Sequence, residues 1–300
     1  MNKDIKNIVS TVLLIAAGLT ANGQQPLTPT HYGQLRTALN PAASLIRMEG
    51  EVSFIGRRQW IGVEGAPTVF WGSGYMGIKN LGATAGANIR HESLGVEKLT
   101  EASAFFAKSV RISSREFVGL SLNAGVSYLN GRFSQLDPSD PAFRADVMET
   151  DALVGFGVVV FRPERYYVGL SLPRLMLSSL GIGRENRYSF RNVYHLTAGA
   201  VFALNADFHL RPSLLVTHSE SLRPQVEGGV LIFAKKVFGL GMNIRNYGEL
   251  AGMVQVNVNG FGVGYSYQFN PGSKSLSRGI SNTTHELAIS YRFGHASGIL

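Results

Sequence analysis

The chain has 300 residues, of which 45% are apolar and only 16% charged, with 35 glycines, no cysteine and a net charge of +8. Low charge and a mean hydropathy of +0.07 exclude a disordered chain or a coiled coil. The lack of any apolar run of about 18 residues beyond the first 22 positions excludes a bundle of membrane-spanning helices, and the lack of cysteine excludes disulfides, thiolate metal sites and a lipid anchor on cysteine.

In chain order, the first element is a basic start (Lys3, Lys6), an apolar stretch from Ile8 to Leu19 and the small-residue site Ala21-Asn22-Gly23. This predicts a signal peptide over 1–23, cleaved before Gln24; the alternative is a short buried helix. Cleavage removes Lys3, Asp4 and Lys6, so the balance falls from +8 to +7 (8 − 2 + 1). An exported chain has little access to nucleic acid, so its positive charge points to lipid or protein partners. The stretch 24–48 lacks strand alternation, and Asn40-Pro41-Ala42 marks a fixed turn. It is expected to plug a lumen or bind a periplasmic partner.

From there the sequence alternates with period two. Leu120, Leu122, Ala124, Val126 and Tyr128 interleave with Ser121, Asn123, Gly125 and Ser127, and the pattern recurs at 261–269 and 285–293. About fourteen strands are predicted, at 49–60, 67–78, 81–91, 101–112, 116–129, 151–161, 165–172, 193–204, 208–218, 224–234, 236–246, 249–259, 261–269 and 285–293. Most suit a tilted crossing of a bilayer. Connections after even strands are short, whereas 92–100, 130–150, 173–192 and 270–284 are expected as long loops. Sorting of loop lengths by parity, with glycine and polar residues opposite the apolar face, predicts an all-β, single antiparallel transmembrane β-barrel with a polar lumen and both ends periplasmic. A soluble β-rich envelope protein is the alternative. Trp60, Trp71, Tyr166, Tyr167, Tyr265 and Tyr267 are candidates for interfacial girdles.

Several segments, in order, resemble the PorP/SprF family of type IX secretion system outer-membrane proteins. They are His31–Ala42 (HYGQLRTALNPA), Arg57-Arg58-Gln59-Trp60 followed by Gly65-Ala66-Pro67-Thr68, Tyr166–Leu172, Gly262–Tyr267 and the closing His285–Phe293. The chain departs from the family pattern at His31, where Gln is common, at Gln268, often aspartate, and in the tail Gly294–Leu300. The resemblance implies a non-enzymatic component of type IX secretion and, in gliding bacteria, of adhesin export. Its implied partners are the periplasmic ring of the machinery and the C-terminal domains of secreted cargo, beside outer-membrane lipid.

No catalytic, cofactor or metal site is expected. The seven histidines show no HxH or HExxH spacing, and no Gly-x-Ser-x-Gly elbow is present. His218-Ser219 is the pair a hydrolase reading would use, His285-Glu286 a candidate lumen pair, and the acidic loop 135–149 a surface loop without EF-hand spacing. The candidate partner-binding or structural residues are Tyr32, Asn40, Pro41, Arg58, Gln59 and Trp60, with Arg57 beside them at the end of the first strand. Arg184 and Arg187 join them from the basic-aromatic loop 173–192. The function expected is export or surface attachment of cargo by docking. The runner-up is a diffusion channel or hydrophobic-solute transporter.

Overall fold

The computed structural model describes residues 27–136, 145–182, 192–220, 222–246, 248–271, 283–294 and 299–300. Fourteen antiparallel strands close into a barrel. They are β1 (Glu51–Gln59), β2 (Thr68–Ile78), β3 (Ala83–Leu94), β4 (Glu97–Arg111), β5 (Phe117–Gly131), β6 (Val147–Arg162) and β7 (Tyr166–Met176). After them come β8 (Val193–Ala200, continuing at Phe202–Ala203), β9 (Phe208–Ser219), β10 (Gln225–Ala234), β11 (Phe238–Arg245), β12 (Leu250–Val258), β13 (Phe261–Phe269) and β14 (Thr284–Arg292). Each pairs with its sequence neighbours, and β1 closes the ring on β14 from Glu51↔Arg292 to Gln59↔Thr284. Closure satisfies every strand edge, as a wall in lipid requires. No helix among the described residues is long and apolar enough to cross a membrane.

The alternation sorts side chains across the wall. On β5, Leu120 and Leu122 are 62% and 72% exposed, whereas Ser121 and Ser127 are 4% and 0% exposed. The apolar face is therefore the outside, and the buried face is polar.

Turns after even-numbered strands are short throughout, and we call that end the turn end and the other the loop end. Three expectations need correction. The 92–100 stretch is a tight turn at Gly95-Val96, with β3 and β4 extended to either side of it. Gly95 takes a positive φ of 56° there, which suits a glycine and lets a hairpin replace a loop. The 173–192 loop begins later, because β7 runs through Pro173 to Met176; the ladder absorbs the proline as register shifts against both neighbours. Of the six girdle candidates, Trp71 and Tyr167 point inward, at 6% and 3% exposure.

Candidate functional site

The lumen is occupied by the chain itself. From Leu27 the backbone descends through a helical turn (Arg36–Leu39) and a 3-10 turn (Pro41–Ile46), then enters β1 at the turn end. Short turns suit a narrow barrel because they change direction within a few residues and satisfy part of their own backbone. Tyr32, Leu35, Ala42, Leu45 and Ser44 are each no more than 2% exposed.

At the loop end the plug is held by charge. Glu286 on β14 accepts the backbone N–H groups of Thr30 (2.8 Å) and His31 (2.7 Å) and lies 3.2 Å from His31 Nδ1. Arg57 Nη1 donates to Thr30 Oγ1 (3.0 Å) and lies 3.3 Å from Glu286, while its Nη2 donates to Gln268 (2.7 Å). Arg245 donates to Glu227 (2.8 Å), Glu249 (3.2 Å), Gln268 (3.2 Å) and the Thr28 carbonyl (2.9 Å). Two arginines, three carboxylates and one amide thus form a network that reads the backbone of 28–31. Hydrogen bonds to charged groups at this burial are stronger than neutral ones, and the network is costly if broken.

Midway, Thr37 Oγ1 meets Ser73 Oγ at 2.5 Å, and Ser171 Oγ donates to the Leu39 carbonyl at 2.6 Å. Tyr32 donates its hydroxyl to Ser213 at 2.8 Å. Asn40 is the pivot. Its Oδ1 caps the 3-10 turn by accepting from Ala42 N (3.1 Å), and its Nδ2 donates to the carbonyls of Val158 (3.0 Å) and Leu170 (3.4 Å) on adjacent strands. The approach is possible because β6 and β7 present glycine there: a Cβ at Gly169 would stand 2.6 Å from Asn40 Nδ2, and one at Gly157 would overlap Asn40 Oδ1. Pro41 follows at the first position of the turn, where its missing N–H costs nothing.

At the turn end the contacts become apolar. Ala42, Ala43, Leu45 and Ile46 pack with Ala107, Val159, Phe161, Tyr167 and Leu300. The C-terminal residues lie in the same space: Arg47 donates to the Leu300 carbonyl (2.8 and 2.7 Å), and Arg211 to that of Ile299 (2.8 Å). Above them, a cavity of about 100 Å³ persists between the plug and β2–β8, lined by Leu39, Trp71, Arg90, Glu101, Arg174 and His195 among others.

Tyr32, Asn40 and Pro41 are thus brought together with the wall. Arg58 is not: it is exposed on the outer face, and its neighbour Arg57 is the one that turns inward. Gln59 is half-buried, and Trp60, at 38% exposure with φ 47°, begins the turn 60–67 with its N–H bonded to the Thr283 carbonyl. Arg184 and Arg187, and residues 1–23, lie outside the described residues. His285-Glu286 is divided by the wall, since His285 bonds Tyr265 Oη outside (2.7 Å) while Glu286 faces the plug. His218 and Ser219 likewise point to opposite faces, so no hydrolase pair forms. Among the described residues no His, Asp and Glu group converges on a metal-binding arrangement. The residues missed from sequence were Glu227, Arg245 and Gln268. Their signal was polar residues at inward parity near the loop ends of β10, β11 and β13.

A profile of the family described as "Type IX secretion system membrane protein PorP/SprF" matches residues 21–291. Among solved structures, the toluene transporter TbuX of Ralstonia pickettii aligns at TM-score 0.51 with 11% identity, over 86% of this chain and 93% of that one. A TodX deltaS2S3 mutant monoaromatic hydrocarbon channel aligns at TM-score 0.51 with 9% identity, over 86% and 94%. The outer membrane protein Omp33 of Acinetobacter baumannii aligns at TM-score 0.47 with 9% identity, over 82% and 98%. At such identities the likeness is one of fold. No curated protein matches the chain by sequence.

Proposed function

The chain belongs to the PorP/SprF family of type IX secretion system membrane proteins and is an outer-membrane β-barrel. From that premise we infer that it is a non-enzymatic docking component, which holds cargo or machinery on its rims while its own lumen carries no cargo. The observation that carries this reading is the plug: residues 27–47 fill the lumen and are bonded to strands all round the wall. Docking then relies on loop shape and charge presented from a rigid frame. The long connections face the cell exterior and the short turns the periplasm, as parity in such barrels requires. Export proceeds through a signal peptide cleaved before Gln24, checked by N-terminal sequencing of the purified protein.

Affinity capture after crosslinking in the native membrane tests the role. Recovery of the secretion ring or of a secreted C-terminal domain is expected, together with loss of cargo from the surface on deletion. Recovery of neither, with secretion intact, would overturn the reading. In planar bilayers the pure barrel should show no steady conductance. Robust solute flux would favour a diffusion channel.

A further inference from the structure

We propose that the outer wall of β1–β5 holds one phosphorylated lipid of the outer leaflet, with its acyl chains in a groove and its phosphate on a cationic row above it. The proposal rests on the loop end facing the exterior.

The row follows from register. Tyr267, His285, Arg58, Thr68, Ser93 and Lys98 stand directly opposite one another on consecutive strands. All have outward parity, and Arg58 and Lys98 are exposed. A cation on a lipid-facing wall is costly at the bilayer midplane and nearly free at the interface, so this row marks headgroup level. The row contains no carboxylate. The loop-end carboxylates Glu286, Glu101 and Glu92 sit across the wall, tied to His31, Arg57, Arg90 or Arg174. Glu97, beside Lys98, is half-buried at inward parity, and Glu64, in the adjoining 60–67 turn, is exposed. His285 is held by Tyr265 Oη and by the edge-on ring of Tyr267 at 5.2 Å. A fixed imidazole beside Arg58 adds a donor to a phosphate oxygen.

Below the row the wall is hollowed. One apolar recess of about 280 Å³ starts at Gly56 and His91 and reaches Phe54 and Ile89. A second, of about 560 Å³, shares Phe54, Gly72 and Ile89 with it and crosses to Val126. Its floor is a second register row, Gly74–Ala87–Ala104–Ala124, in which four strands in succession carry almost no side chain. The outward residues of β5 beside it are Leu120, Leu122 and Val126, so the hollow is local. From Val52, opposite Gly74, to Arg58 the strand rises about 20 Å at ~3.4 Å per residue. Strand tilt of about 45° makes that about 14 Å, close to one leaflet of a ~30 Å hydrocarbon core. Groove and cations therefore match a single lipid that enters from the outer leaflet. A packed helix or a second barrel would use the groove but has no need of the cationic row.

The test is native mass spectrometry of the full chain reconstituted in nanodiscs containing lipid A, either phosphorylated or stripped of its phosphates. One phosphorylated lipid A per barrel is expected to survive gentle delipidation, with the phosphate-free form retained about five- to tenfold less. Arg58→Ala with Lys98→Ala should lower retention of the phosphorylated form by a similar factor, leaving the phosphate-free form unchanged. Ala87→Leu with Ala104→Leu should lower both, and heat-shifted electrophoretic mobility reports that each variant is folded. Equal retention by wild type and all variants overturns the proposal, as does a dimer or a bound helical peptide in place of lipid. Loss of the secretion role with lipid retention intact would overturn the docking function alone.

Discussion

The two ends of the plug are held by opposite physics. Near the loops, Glu286 and Arg245 grip the backbone of 28–31 while Arg57 and Glu227 bond the hydroxyls of Thr30 and Thr28, none of the four being more than 6% exposed. Near the turns, Leu45 and Ile46 are packed among Val159, Phe161 and Tyr167, with the chain continuing directly into β1. Charged groups freed of the plug can be hydrated by entering water, whereas apolar groups cannot without a transfer cost. The difference makes the loop end the place where the plug loosens first and the turn end its anchor.

The largest effect should come from breaking the charged end. Glu286→Ala removes the acceptor of two backbone N–H groups and leaves Arg57 without its buried carboxylate, a change that costs about 3–5 kcal/mol where a buried pair loses one member. Hydrogen exchange should rise at 28–34 while the amides around Leu45 stay protected; equal exposure of both would refute the division. Leu45→Ala should come next, at about 3 kcal/mol for a fully buried leucine. Here the urea midpoint of the whole barrel should fall, with little selective exposure of Thr30 and His31.

How far this was legible from sequence follows the same division. Period two located the strands to within a few residues in most cases, because lipid outside and polar lumen inside force alternation at every position. It failed at Gly95-Val96, where polar residues at 92–100 belong to long strands that extend beyond the apolar band. Asn40-Pro41 was readable as a turn, since its chemistry is local. The partners of Asn40 were not, because its two acceptors are backbone carbonyls whose accessibility depends on Gly157 and Gly169 more than a hundred positions away. The charged network was hidden for a related reason. Its members come from β1, β10, β11, β13 and β14: successive hairpins gather four of them, and ring closure on β14 brings in Arg57.

Asn40 sits between the two regimes and sharpens where one gives way to the other. Asn40→Ala deletes a cap and two donor contacts, about 1–2 kcal/mol, and Asn40→Asp keeps the cap but turns the donor into an acceptor facing two carbonyls. The aspartate variant should therefore be the less stable of the two in urea. If it matched the wild type, the cap alone would account for this residue.

The smallest effect expected is also the cleanest control, since it uses adjacent arginines on one strand. Arg57 reaches Thr30, Glu286 and Gln268 inside the wall, while Arg58 lies exposed outside it. Arg57→Ala leaves Glu286 with His31 as its remaining side-chain partner and should destabilise the plug by a few kcal/mol, by about the same mechanism as Glu286→Ala. Combining the two should cost less than their sum, because each removes the other's partner. Arg58→Ala loses no intramolecular partner and should move the urea midpoint by no more than the equivalent of about 0.5 kcal/mol. An Arg58 effect as large as that of Arg57 would mean that the outer face, too, takes part in holding the plug. A null effect at both positions would instead place the plug's stability wholly in the apolar turn end, and the charged half would then serve only to fix its path.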